Sequence, residues 1–417
     1  MGHTIAQQIL SSHSDSDTVD SGELIDVTPD WVLANDLSIY RGVERMDDLE
    51  YDRVSIPDRT IVAFDHHVPS SDPVISTHMN ELRRWIDSQG IEHFYNAGEG
   101  ILHNVVAEDG LALPGQLIIG ADSHTSTLGA FGNLSVGISH TDLAQVLGSG
   151  ELWVKVPETR KIVVNGTLSS PASAKDLALA LMDELTASLA IYDALEYYGP
   201  GIEALRMHER QTLTNLAVEL GAMAGIIAAD EVTDSYLDDR AEVAYDPVTA
   251  DSDAEYINVH EIDASEIEPL LAMPSRVDNI GTVAANAGTT VDQVFVGTCN
   301  NGRFEDIRAF ADALGTDSVA KYTDLIVVPG SKHAYTQMND EGITNRILNA
   351  GGIVNPPGCG PCFGAHGGVL GDGEVCVGTM NRNFPGRMGP GEIYLASPET
   401  AAAAAIYGEI THPKEVV

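Results

Sequence analysis

Lysine is close to absent from this chain: six among 417 residues, against 62 Asp plus Glu. With the arginines the basic total reaches only 22, and the formal net charge is −40. A surface of that sign repels nucleic acid and anionic membranes, which excludes both as partners. The acids are dispersed rather than gathered in one tail, and an acidic, lysine-poor surface suits a salt-loving cytoplasm, where screening is severe. Long apolar runs are missing too, so no segment is expected to span a bilayer. The start, MGHTIAQQILSSHSD, lacks a basic stretch followed by an apolar one, and a cytoplasmic location is the expectation. Cysteine is rare, at 299, 359, 362 and 376. Four in a cytosolic chain of this size argue against a disulfide framework and for metal binding or catalysis.

What the chain does have is one repeated design. A short Val/Ile/Leu run ends abruptly in polar or reactive residues: TIVAFDHH (60–67), QLIIGADSHT (116–125), VFVGTCNNGR (294–303), LIVVPGSK (325–332) and VCVGTMNRNF (375–384). Runs apolar throughout predict parallel strands buried on both faces, hence an α/β fold. Ligands in such sheets sit beyond the carboxyl ends of the strands, where these polar residues lie. Helix signals stand between them. Ser173 with Asp176 opens one helix, Ser397 and Pro398 open another that Gly408 closes, and Gly315 ends a third. One boundary is expected near 157–160 and another in the acidic stretch 230–256.

Cys359 and Cys362 form a CxxC inside NPPGCGPCFG. No second CxxC exists, so a four-cysteine zinc ribbon would need Cys299 and Cys376 as irregular partners. Cys376 lies in an apolar run and reads as a small buried thiol. The Gly/Pro context does not start the helix that a thioredoxin-like pair requires. Spacing alone leaves a metal or cluster site and incidental cysteines both open. Three thiolates would leave one iron of a cubane cluster without a protein ligand, free to act as a Lewis acid.

The acid–base residues lie elsewhere. Asp65 with His66, and Asp122 with His124, set a carboxylate beside an imidazole at strand ends, and His103 adds a third ring. A serine hydrolase built on Ser123 is the competing idea, but the G-x-S-x-G turn is missing. Arg382 and Arg387, five apart in NRNFPGR, suit clamping of carboxylates, with surface ion pairs as the plain alternative. TLTNLAVELGAMAGI (212–226) reads as a helix rich in small residues, with Asn215 and Glu219 on one face.

Seven segments in order, DHHVP, EGILH, GADSHTSTLGAFG, TNLAVELGAMAG, GTCNNGRFEDIR, NPPGCGPCFGAHGGVL and NRNFPGRMGP, resemble the aconitase superfamily of hydro-lyases. Within it the match is to the large subunits of 3-isopropylmalate dehydratase and homoaconitase. The resemblance implies three α/β/α domains around a central [4Fe–4S] cluster, here 1–158 with the acid–base residues, 159–256, and 257–417 with the cysteines and arginines. It implies Cys299, Cys359 and Cys362 as cluster ligands, one cluster per subunit and one iron without a protein ligand. Asp65–His66, Asp122–His103 and Glu219–His124 would be the catalytic pairs, with His66 moving a proton to the leaving hydroxyl. Asn215 and Asn301 would surround the cluster, and Ser123, Asn381, Arg382 and Arg387 would hold a small hydroxy di- or tricarboxylate. Asn300 departs from the family, which has Thr there. A swivelling fourth domain is not found, so a separate small subunit is expected to carry it. The reaction implied is isomerisation of 2- and 3-isopropylmalate by loss and return of water, in leucine synthesis. Homoaconitase or a methylmalate-type hydratase is the alternative, and an iron-responsive binding protein the non-catalytic one.

Overall fold

The computed structural model describes residues 2–417. Three sheets carry the architecture. The first is five-stranded and wholly parallel, in the spatial order His93–Tyr95, Thr60–Ala63, Trp31–Asn35, Leu117–Gly120, Leu134–Gly137. Thr60–Ala63 and Leu117–Gly120 are buried at every position, as their unbroken apolar runs require. Chain order runs outward from Trp31–Asn35 in one direction and then returns to its other side. The switch point therefore lies between Trp31–Asn35 and Leu117–Gly120.

The second sheet is also parallel, ordered Ala224–Ile227, Ala194–Tyr198, Thr159–Asn165, Asn258–Asp263. Its edge strand, Asn258–Asp263, lies past the boundary expected at 256 and pairs with Thr159–Asn165 along six residues. Strand pairing thus holds within the second unit a segment that its acidic flank had seemed to separate.

The third sheet has seven strands, ordered Ile280–Thr282, Leu270–Ala272, Glu392–Leu395, Val375–Gly378, Gln293–Gly297, Asp324–Val328, Ile353–Val354. Its last five strands are mutually parallel. Here the switch point falls between Gln293–Gly297 and Val375–Gly378, directly before Cys299 and Asn381.

Helices form where caps and terminators were read. Ser173 and Asp176 make a reciprocal cap on Ala174–Leu185, and Ser397 caps Pro398–Tyr407, which Gly408 ends in the left-handed region. One helix is shorter than its pattern: Met207–Leu216 stops, Ala217–Leu220 turns as 3₁₀, and Ala224–Ile227 becomes a strand. The apolar run Ala-Gly-Ile-Ile completes the second sheet, and that tertiary pairing overrides helical propensity. Close approach is needed here. A Cβ on Gly129 would sit 1.9 Å from the Gly225 carbonyl oxygen, so glycine lets the turn Ser123–Phe131 of the first unit lie on the second sheet.

Candidate active site

The carboxyl ends of the first and third sheets face one cavity of about 410 Å³, into which both switch points open. Behind its first-sheet wall stands Asp36, at the start of helix Asp36–Asp48. The Asp36 carboxylate accepts backbone N–H bonds from Asp65 (3.1 Å), His66 (2.9 Å) and His67 (3.0 Å), and a ring bond from His67 Nδ1 (2.8 Å). Burial opposes its charge, but the His67 bond and the neighbouring His66 hold it down at about 2. Asp36 was not singled out from sequence. An acid at a helix start, just after the N-cap Asn35, was the only local signal, and helix-starting acids are common.

On this bracket Asp65 accepts from His66 Nδ1 at 2.6 Å through Oδ1, and from the Leu102 N–H at 2.8 Å through Oδ2. The far nitrogen of His66, Nε2, lies 3.9 Å from Asp122 Oδ2. Burial disfavours charge on His66, yet the Cys359 sulfur and Asp65 leave its pKa well above the ordinary value. Asp122 collects His103 Nε2 (3.1 Å), Asn35 Nδ2 (3.0 Å) and the His124 N–H (2.8 Å). Burial again opposes its charge, and the His103 bond with three nearby imidazoles keeps it well below the usual carboxylate range. His103 is not at a strand end. It stands in the first turn of helix Leu102–Glu108.

His124 Nε2 meets Glu219 Oε1 at 2.9 Å, and Arg382 Nε donates to the same oxygen at 2.7 Å. Because the helix stops at Leu216, Glu219 sits on the following 3₁₀ turn and Asn215 on the helix, so the two serve different partners. Burial raises Glu219, but His124 and Arg382 outweigh it and lower its pKa. Ser123 lines the cavity.

The third-sheet wall holds sulfur. Cys299 follows strand Gln293–Gly297, preceded by Thr298 at φ +79°. A β-branched residue there costs on the order of 1–3 kcal/mol, so surrounding packing must impose it. Cys359 precedes the turn Gly360–Phe363 and Cys362 lies within it; Gly360 there has φ +56° and leaves no room for a Cβ beside Val328. All three sulfur-bearing residues line the cavity, whereas Cys376 is buried inside its strand.

Donors aim at the sulfurs. Asn215 Nδ2 and Asn381 Nδ2 each stand 3.3 Å from Cys299 Sγ, and Arg387 Nη2 stands 3.6 Å from Cys362 Sγ. Burial pushes the Cys299 thiol up to about 12 and Cys359 well above its ordinary value, and a bound cation would favour their ionised forms. Side-chain donors already directed at the sulfurs fit a thiolate-bound cluster. A smaller group also converges: ligand atoms of Asp65, His66 and Cys359 lie within 4.8 Å of one another. Asp65 is already occupied there by His66 and the Leu102 N–H.

Behind Cys299 runs a buried relay. Lys175, 1% exposed, donates to Asn300 Oδ1 (2.5 Å) and to the carbonyls of Thr379 (3.2 Å) and Met380 (2.6 Å). Asn300 Nδ2 donates to Asn215 Oδ1 at 2.9 Å, and Asn215 reaches Cys299. Asn301 turns the other way, to Asp306 and Thr212, so Asn300 rather than Asn301 joins the amide network at the sulfur. Burial drags Lys175 down to about 7.

A sequence model described as the aconitase family (aconitate hydratase) matches residues 7–408. The probable methanogen homoaconitase large subunit of Methanosarcina mazei is 45% identical over 388 residues, covering 93% of this chain and 99% of that protein. The 3-isopropylmalate dehydratase large subunit 1 of Methanopyrus kandleri is 41% identical over 416 residues, 99% of each chain. The 3-isopropylmalate dehydratase large subunit of Hydrogenobaculum sp. is 40% identical over 418 residues, 100% of this chain and 99% of that one. Among solved structures, the holo-form of Thermococcus kodakaraensis aconitase X superposes with a TM-score of 0.51 at 11% identity, over 90% of this chain and 88% of that one, a likeness of fold.

Proposed function

The chain belongs to the aconitase family and is a hydro-lyase; from that premise we propose that it is the large, catalytic subunit of 3-isopropylmalate dehydratase. One observation carries the reading: three thiols and three imidazoles, each held by a carboxylate, border a single cavity. Proteins of this family carry a [4Fe–4S] cluster, and in this reading Cys299, Cys359 and Cys362 hold it. When bound, the cluster supplies a Lewis acid at the iron that has no protein ligand.

The protein's own groups manage protons and orientation. With Nδ1 tied to Asp65, His66 has Nε2 as its proton-carrying tip, which gives a proton to the departing hydroxyl and takes one back on rehydration. Asp122, held ionised by the His103 bond, accepts hydrogen bonds from water in the cavity and orients it. His124 is oriented by Glu219 in the same way. Arg387, with its guanidinium 5.6 Å from the Phe363 ring and 5.5 Å from Phe384, is stiffened for bidentate carboxylate binding. Arg382, Ser123 and Asn381 complete the substrate contacts. A separate small subunit bearing a swivelling domain closes the site, and the pair works in a cytoplasm rich in salt. Support for the partner comes from relatives named as large subunits, and support for the habitat from the dispersed acidic surface.

The homoaconitase reading is favoured by one observation, the 45% identity to the Methanosarcina protein. Anaerobic co-expression with a small-subunit candidate, followed by alkene-formation assays on isopropylmalate, homocitrate and citramalate, decides. A brown protein turning over isopropylmalate is expected. Preference for homocitrate transfers the assignment to homoaconitase, and a colourless, zinc-loaded, inactive protein overturns both.

A further inference from the structure

We propose that a second cavity, bounded by Arg206, Arg240 and Arg303, binds a small metabolite carrying two or more oxyanion groups. Its volume is about 390 Å³, nearly that of the sulfur-lined cavity, so it has room for a molecule of similar size. This reading stands apart from the hydro-lyase assignment.

Charge is the first argument. The chain has 62 acidic and 22 basic residues, so two unpaired arginines that converge on one cavity leave a local positive charge in an acidic protein. Among the described residues neither Arg206 nor Arg240 has a carboxylate within ion-pair distance, and both line this cavity. Arg240 is braced instead, with Nη1 donating to the Tyr236 carbonyl at 2.6 Å and its guanidinium 4.2 Å from that ring. A braced guanidinium with open N–H groups is prepared for an oxyanion.

Backbone supplies the second argument. The first turns of three helices, Met207–Leu216, Phe304–Leu314 and Lys332–Asp340, border the cavity through His208, Phe304 and His333. Helix starts carry positive partial charge and amides without intrahelical partners, which favours anions. A third observation is independent of these. Asn104 lines the cavity, is 3% exposed, and its Nδ2 has no hydrogen-bond partner. A buried amide donor left unpaired is expensive, and a small turn of the Asn104 side chain toward the cavity would let a bound acceptor satisfy it.

Two carboxylates oppose the anion. Glu305 is exposed, and Glu108 accepts from the Ser331 hydroxyl at 2.6 Å while burial pushes it up to about 7, which weakens its charge at neutral pH. Arg303 forms the shared wall: it lines this cavity and its Nη2 donates to the Cys299 carbonyl at 2.9 Å.

The test is isothermal titration of the holoenzyme with inorganic phosphate and, separately, malonate, at fixed ionic strength in potassium chloride. Arg387→Ala is used to weaken anion binding at the sulfur-lined cavity. One saturable site is expected to survive in that background and to weaken at least tenfold when Arg206→Gln and Arg240→Gln are added. The tighter probe tells a phosphorylated ligand from a carboxylic one. If the double variant misfolds, exposed Arg206→Gln alone is expected to weaken binding several-fold with thermal stability unchanged. Absence of saturable binding by both probes overturns the proposal. So does a site lost with Arg387→Ala and indifferent to Arg206→Gln.

Discussion

On the first-sheet wall of the cavity each reactive ring rests on a carboxylate: His66 on Asp65, His103 on Asp122, His124 on Glu219. On the third-sheet wall the sulfurs rest on amides and a guanidinium: Cys299 on Asn215 and Asn381, Cys362 on Arg387. One wall is a set of acids that fix proton-carrying rings. The other is a set of neutral or positive donors that favour negative sulfur. Each wall supplies the charge its reactive atoms need, and neither would serve the other.

The sharpest way to separate the walls is to remove one sulfur. Cys359→Ser is expected to abolish both brown colour and turnover, read by visible absorption and alkene formation. His66→Ala should keep the colour and lose about 10²–10⁴-fold in kcat, the usual weight of a positioned proton carrier. Equal loss of colour in the two variants would erase the distinction.

Asp36→Asn tests whether the acid wall depends on its bracket. A shift of the 65–67 turn should cost up to about 10²-fold in kcat with KM little changed, since misplacement is paid in the transition state. The same variant has a pH signature. Asp36 has a folded pKa of about 2 against an ordinary 3.8, so its contribution is complete above about 3.8 and is lost as pH falls toward 2. That difference corresponds to on the order of 2 kcal/mol, and acid unfolding followed by circular dichroism should lose this part of its slope in Asp36→Asn.

On the sulfur wall, Lys175→Met would strand the Asn300 carbonyl oxygen and two backbone carbonyls. The expected cost is about 1–3 kcal/mol in denaturant unfolding, with the cluster more readily lost to oxygen. The smallest effect belongs to Cys376→Ala. It should cost about 1 kcal/mol and leave colour and turnover intact, because that thiol is packing and not wall.

Legibility followed distance along the chain. Five strands and their reactive ends could be read because a doubly buried strand writes itself as a continuous apolar run. Asp65–His66 could be paired because the two residues are adjacent. Asp36 could not, since its role is to collect backbone donors 29 to 31 residues away, and nothing local distinguishes it from a helix-starting acid. Asn300 was noted as a departure, but its bond to Lys175 spans 125 residues. The helix expected through 226 ended at 216 because sheet pairing, invisible to local periodicity, claimed Ala224–Ile227. Asn258–Asp263 went to the second sheet for the same reason.

The spread of the site's groups along the chain has a consequence for how the protein is made. A ribosome delivers the chain from its N-terminus, and early units can fold while later ones are still being added. Asp36, Asp65, His66, His103, Asp122 and His124, all before residue 125, are exposed first, then Asn215 and Glu219, and only afterwards Cys299, Cys359 and Cys362. A nascent chain therefore holds its proton-handling groups in place before it has any sulfur to offer iron. If those sulfurs hold the cluster as proposed, iron enters a site whose proton-handling groups were synthesised before its ligands.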